Sequence, residues 1–244
     1  MSFQKIFSLH SGKIEFEFYV TIFKLYFPAM LTKDFLLTGA LAFATDEGRI
    51  GFISNALSTS PKPTFMEFKY RGSVYNLAFG PNGSDSNSFS LYSLGDGKVT
   101  IHDNQNSINL EDLINNSNSW QRKAPSRSSM EFQPVSFKHL ILGSDDGSVE
   151  VFNTADMKII CTFKSFQKLI QSLAWHPMTT VQGENSELQN YVATASNEYD
   201  IHIWNLEDKL LNYSEGTNPV FTKPDIVLSG HKLRVVALGM ISKK

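Results

Sequence analysis

The chain has 244 residues, of which 41% are hydrophobic and 12% aromatic. That is enough to bury a sizeable core in one domain or two small ones. A formal net charge of −2 excludes a global basic field, though not a local patch that meets a phosphate backbone. The single cysteine, Cys161, excludes an intrachain disulfide. It lies in the apolar run Ile159–Phe163, so a buried inert thiol and a reducing compartment are expected.

Residues 1–40 form an atypical Phe-rich segment, expected to be foreign to the repeat pattern that follows. The stretch from Ile14 to Ala44 is apolar, but Glu15, Glu17, Lys24, Lys33, Asp34 and Pro28 interrupt it. A membrane-spanning helix needs roughly 20 nearly uncharged residues, and a signal peptide starts earlier with a basic end. A soluble chain is expected.

From Leu41 onward one pattern recurs: small apolar residues, a tight acidic or glycine turn, then an alternating strand. The copies run Leu41–Ile53, Leu91–Asp103, Leu140–Asn153 and Val192–Asn205, about 50 residues apart. Each reads as a β-hairpin whose Asp-Gly or equivalent supplies a positive φ. Between hairpins lie Val74–Pro81 and Ile170–Pro177, each read as a strand that its proline ends. A third copy begins at Val235–Leu238. Short strands such as Met157–Phe163 and Asp225–Leu228 complete sets of four. Polar insertions near 104–127, 179–190 and 207–223 read as loops or partly ordered segments, the first with a helical turn at Leu110–Ile114.

Four antiparallel strands per unit at this period mark the blade of a WD40-type β-propeller. The expected fold is therefore all-β, with residues 41–244 an incomplete WD40-repeat propeller of about four blades. The hairpins end in Trp204-Asn205, Phe152-Asn153 and His102-Asp103, the place of the Trp-Asp pair in such repeats. Gly230-His231 is the other hallmark, matched at earlier places by Arg71-Gly72 and, roughly, Phe166-Gln167. These blades read as degenerate and more dependent on packing than on the hallmark hydrogen bonds.

No His-Glu-x-x-His, cysteine pair or glycine-flanked serine is present, so neither a catalytic residue nor a metal ligand nor a cofactor is expected. His176 and His202 read as structural, and the acidic pair Asp145-Asp146 as turn residues. Propellers bind ligands on the face where each inner strand starts. There the chain offers Arg71 and Tyr75, then Lys168 and Gln171, then Lys232 and Arg234. An exposed tyrosine beside cations suits a stacked nucleobase, and the same set suits an acidic peptide.

A sharper likeness rests on Leu41–Gly51, Val74–Pro81, Leu91–Ser93, Leu142–Phe152, Ile159–Thr162 and Leu228–His231. Together they resemble the second WD40 propeller of the gem-associated (Gemin) family, the RNA-binding component of the survival-of-motor-neuron complex. The resemblance implies recognition of the Sm site of small nuclear RNA for assembly of spliceosomal ribonucleoproteins. It also implies contact with other gem-associated proteins and the ribosome, and a cytoplasmic and nuclear location. Tyr75 falls where the family stacks a base, and Arg234 where the family has a basic RNA contact. The aromatic residues that clasp the RNA cap in the family lie upstream of the matching region, which leaves cap binding outside the resemblance. A protein-interaction propeller without RNA binding is the alternative reading.

Overall fold

A computed structural model describes residues 20–25, 41–45, 47–53, 63–82, 85–102, 107–110, 125–134, 136–176, 190–214 and 216–240. Among the described residues seventeen strands make four sheets, each built on four antiparallel neighbours. Sheet I holds β1 (Val20–Leu25), β2 (Leu41–Thr45), β3 (Arg49–Ile53) and β4 (Pro63–Lys69). Sheet II holds β5 (Val74–Asn82), β6 (Asp85–Gly95), β7 (Lys98–His102) and β8 (Ser107–Asn109). Sheet III holds β9 (Arg127–Phe132), β10 (His139–Ser144), β11 (Val149–Asn153) and β12 (Ile159–Phe163). Sheet IV holds β13 (Ile170–Trp175), β14 (Tyr191–Ser196), β15 (Ile201–Asn205) and β17 (Ile226–Leu228). This is the expected incomplete all-β propeller, with four blades and no closed barrel.

The period-2 alternation of the strands explains how the blades stack. Along β11, Val149 and Val151 enter the core shared with sheet IV, while Phe152 enters the core shared with sheet II. Three such cores fill the gaps I–II, II–III and III–IV. Aromatic pairs bridge each gap: Phe68 on His102 at 5.0 Å, Tyr92 on Phe132 at 4.9 Å, and Phe163 stacked on Trp204 at 4.4 Å. The Phe132 ring lies where Gly80 would carry a Cβ, so a larger residue in that strand would push two blades apart. Cys161 is fully buried, and burial pushes its thiol up to about 12, which keeps it inert.

Three hairpin turns have the expected chemistry. Gly48, Gly97 and Gly147 take positive φ, and Asp96 joins Gly97 at φ 49° and 71°. The fourth does not. No described residue of 197–200 has positive φ, and the Ser196 hydroxyl accepts the Glu198 N–H at 2.9 Å instead. Proline also fails to end the inner strand β5. β5 runs through Pro81 to Asn82, and the Pro81 carbonyl accepts the Tyr92 hydroxyl at 2.9 Å. Val235–Leu238 forms no strand, although Val235 is buried and the Leu238 N–H donates to Ser172 Oγ at 3.0 Å.

The stretch 207–223 carries regular structure. Asn205 caps α1 (Leu206–Leu210), and β16 (Val220–Phe221) pairs in parallel with the outer edge of β12. Lys209 closes the excursion by an ion pair to Asp225 at 2.7 Å while lying over the Trp204 and Phe221 rings. Leu110 is helical; the rest of the turn expected at 110–114 lies outside the described residues, as do most of 104–127 and 179–190.

Beside the packing expected of degenerate blades, hydrogen bonds at the hallmark positions persist in substituted form. In sheet IV the Trp204 indole donates to Thr194 Oγ1 at 3.1 Å. In sheet II His102 stands in the tryptophan's place, and its Nε2 is hydrogen-bonded to Ser93 Oγ at 2.7 Å. Ser93 Oγ in turn meets the Tyr70 hydroxyl at 2.7 Å, and His102 Nδ1 meets Ser107 at 2.8 Å. Counted back from the buried first residue of each inner segment, His231 corresponds to Tyr70 and Phe166, not to Gly72 or Gln167. Phe166 is stacked on His202 at 4.0 Å, and His202 Nδ1 is hydrogen-bonded to Ser165 Oγ at 2.6 Å. Sheet III substitutes a buried ion pair, Arg127 to Glu150 at 2.7 Å, with Arg127 also donating to Ser144 at 3.0 Å.

Candidate nucleic-acid interface

The inner strands β1, β5, β9 and β13 lie side by side. Their first residues and the hairpin turns share one face, because backbone bonds tie the two sets together. Tyr70 N–H donates to Gly48 O at 3.0 Å, Arg127 N–H to Gly97 O at 2.8 Å, and Asn197 N–H to Leu169 O at 3.0 Å. Turn carboxylates add clamps. Asp96 accepts the Arg71 and Gly72 N–H groups at 2.8 and 3.1 Å, and Glu198 accepts that of Gln167 at 2.9 Å. The face is therefore preorganised by connections between neighbouring blades.

One geometric device recurs in all four sheets. The second residue of each inner strand is an extra residue in the ladder to the next strand. Val20 and Ile22 pair with Thr45 and Ala44, leaving Thr21 as the bulge. In the same way Tyr75, Ser128 and Gln171 are the bulged residues of β5, β9 and β13. A bulge leaves one residue out of the ladder, so the fold repeats an unpaired position once per blade.

What occupies those positions differs. Tyr75 is 58% exposed and its hydroxyl has no partner among the described residues. The Ser128 hydroxyl is committed, donating to the Ile170 carbonyl at 2.7 Å. Gln171 is half-buried, and its amide has no hydrogen bond among the described residues. Sequence reasoning named Tyr75 and Gln171 but missed Ser128 and the bulge relating them. The signal was present in the aligned strand starts Val74-Tyr75-Asn76, Arg127-Ser128-Ser129 and Ile170-Gln171-Ser172.

The expected cations stand around this series. Arg71 precedes Tyr75 in the loop clamped by Asp96, and Lys168 precedes Gln171; both are exposed. Lys232 and Arg234 are exposed in the segment after β17, beyond sheet IV. Arg71 and Tyr75 thus flank one inner-strand start and Lys168 and Gln171 another, while Lys232 and Arg234 lie on the segment whose Leu238 N–H donates to Ser172 of β13. None of these four cations forms an ion pair among the described residues. Several acids of the face are engaged already. Asp96 and Glu198 are clamps, and Asp146 pairs with Lys164 at 2.9 Å. Partial burial pushes the Asp146 carboxyl up, but hydrogen bonds from Ser148 and the Lys164 charge hold it below its ordinary value.

Among the described residues no group of three or more His, Cys, Asp or Glu could hold a metal ion. No helix there is long and apolar enough to cross a membrane.

No protein-family model matches the chain. It is similar to Gem-associated protein 5 of Homo sapiens, 30% identical over 215 residues, which take in 82% of this chain and 14% of that protein. It is similar also to Gem-associated protein 5 of Mus musculus, 30% identical over 194 residues, 74% of this chain and 13% of that one. The chain thus spans about one seventh of the length of the curated relatives it matches, 14% and 13%. With its four propeller-type sheets and these two alignments, the chain is a relative of gem-associated protein 5.

Proposed function

We propose that this chain is a non-enzymatic, RNA-binding WD40 scaffold that takes a uridine-rich single strand, of the Sm-site kind in small nuclear RNA, across its loop face. The reading places it with the survival-of-motor-neuron complex and other gem-associated proteins in ribonucleoprotein assembly, in cytoplasm and nucleus. Ribosome contact belongs to the same reading.

The observation that carries it is Tyr75: an exposed ring on a bulge, its loop fixed by Asp96, with the unpaired Arg71 guanidinium nearby in sequence. A base stacked on such a ring contributes about 1–3 kcal/mol, and the cations supply a salt-dependent backbone term. Binding of an Sm-site RNA and a scrambled control, at two salt concentrations, tests the reading. Tyr75→Ala is expected to weaken Sm-site binding by about tenfold or more. Equal affinity of wild type and variant would refute it.

A second reading has its own support. Glu47, Asp145 and Asp200 lie on the same face and keep its charge mixed. That suits a protein partner. A pull-down that survives nuclease and ignores Tyr75→Ala would favour it.

A further inference from the structure

On sheets II, III and IV the bulged positions differ in one respect: Tyr75 and Gln171 have uncommitted side chains and Ser128 does not. Ser128 is spent on the Ile170 carbonyl, holding β9 to β13. Tyr75 on one side of it and Gln171 on the other keep their polar groups unbonded among the described residues. Each also follows an exposed cation of the preceding loop, Arg71 and Lys168. The face therefore carries the same two-part unit, a loop cation and a bulged side chain, on sheets II and IV.

The backbone around Gln171 is fixed from every side. The Ile170 carbonyl accepts Ser128 Oγ at 2.7 Å, the Leu169 carbonyl accepts Asn197 N–H at 3.0 Å, and Ser172 Oγ accepts Leu238 N–H at 3.0 Å. The backbone that carries this side chain loses little freedom on binding, which favours hydrogen bonds that discriminate between ligands. The two side chains differ in what they can read. A tyrosine ring stacks any base, because every base has a π-face. A carboxamide offers one acceptor and an adjacent donor, which complement the N3–H and a neighbouring carbonyl of uracil.

We infer that Gln171 is the base-reading residue of this face, its amide hydrogen-bonding the Watson–Crick edge of an unpaired uracil, with Lys168 meeting the adjoining phosphate. This rests on the RNA-binding reading above and adds a division of labour. Tyr75 supplies affinity without regard to sequence, and Gln171 supplies discrimination from the equivalent bulge two blades away. Because Ser128 is committed between them, sheet III contributes alignment of the inner strands and no base contact.

The test uses the full chain and two probes, a uridine oligomer and the same oligomer built from N3-methyluridine. The methyl group blocks the Watson–Crick edge while leaving the ring free to stack. In wild type, methylation is expected to weaken binding about tenfold, the scale of one bidentate contact. In Gln171→Met, which keeps the length of the side chain and removes its hydrogen-bonding groups, the two oligomers bind alike. In Tyr75→Ala both bind more weakly by the same factor, and the methylation penalty stays at its wild-type value. A full penalty retained in Gln171→Met overturns the assignment and leaves RNA binding standing. Failure of the wild type to bind either oligomer, or indifference to Tyr75→Ala, overturns the RNA reading and this inference with it. Near-ultraviolet circular dichroism matching wild type establishes that each variant is folded, and Gln171→Asn, with its shorter amide, is expected to restore part of the penalty.

Discussion

Arg127 and Glu150 meet at 2.7 Å with side chains 1% and 2% exposed. Taking two charges out of water costs several kcal/mol per ion, and mutual attraction only roughly balances that cost. Removing one partner therefore costs more than the pair contributes. Arg127→Met leaves a carboxylate in the core between blades, and it also loses the 3.0 Å bond to Ser144 and the guanidinium placed 5.9 Å from the Phe152 ring centre. The expected loss is about 3–5 kcal/mol. Glu150→Leu strands the guanidinium and is expected to cost about as much, less whatever Ser144 retains. The double variant Arg127→Met/Glu150→Leu fills a similar volume with apolar groups, so it should lie within about 1 kcal/mol of wild type or above it. Urea unfolding of all four proteins, with m-values checked for constancy, gives the coupling energy directly. Additive losses, or single variants each costing less than about 1 kcal/mol, would refute the claim that this pair is desolvated and mutually dependent.

The remaining predictions concern histidines and the binding face. Burial lowers His102 to about 4, and burial with the Lys138 charge lowers His139 to about 4, from an ordinary 6.5. As pH falls below 6.5 the unfolded chain gains protons that the folded chain refuses until about 4. Stability is therefore full above 6.5 and falls between 6.5 and 4, by about 2 kcal/mol per histidine at pH 5. Urea midpoints at pH 7 and 5 measure this, and His102→Asn should remove about 2 kcal/mol of the drop; an unchanged midpoint would contradict the burial argument. Asp96→Ala frees the Arg71 and Gly72 amides, so hydrogen exchange at 71 and 72 should accelerate and RNA affinity fall several-fold. Asp96→Asn keeps an acceptor and tolerates φ 49°, so it should behave close to wild type.

The four hairpins were legible because their signals are local. Alternation needs no partner from elsewhere, nor does the turn glycine of the first three copies, and the segments at Leu41, Leu91, Leu140 and Val192 each became a paired strand. Tyr75 and Gln171 were legible as loop-face residues from their place in the repeat. What made them comparable, the bulge at the second residue of every inner strand, was not, because a bulge exists only in the pairing of two strands.

Two further features depended on contacts between distant residues. The parallel strand β16 forms because Thr162 N–H donates to Pro219 O and Lys164 N–H to Phe221 O, a pairing that no period in 207–223 announces. Arg127, Glu150 and Ser144 read along the chain as ordinary polar residues of three strands; only their meeting in the III–II–IV packing makes them a buried unit. Repetition along the chain thus determined which segments pair and where turns fall, since both follow from backbone and side-chain preferences within a few residues. Which polar groups are buried, which are committed and which remain open to a ligand was decided by the stacking of blades, because desolvation and hydrogen-bond partnership are properties of the packed whole.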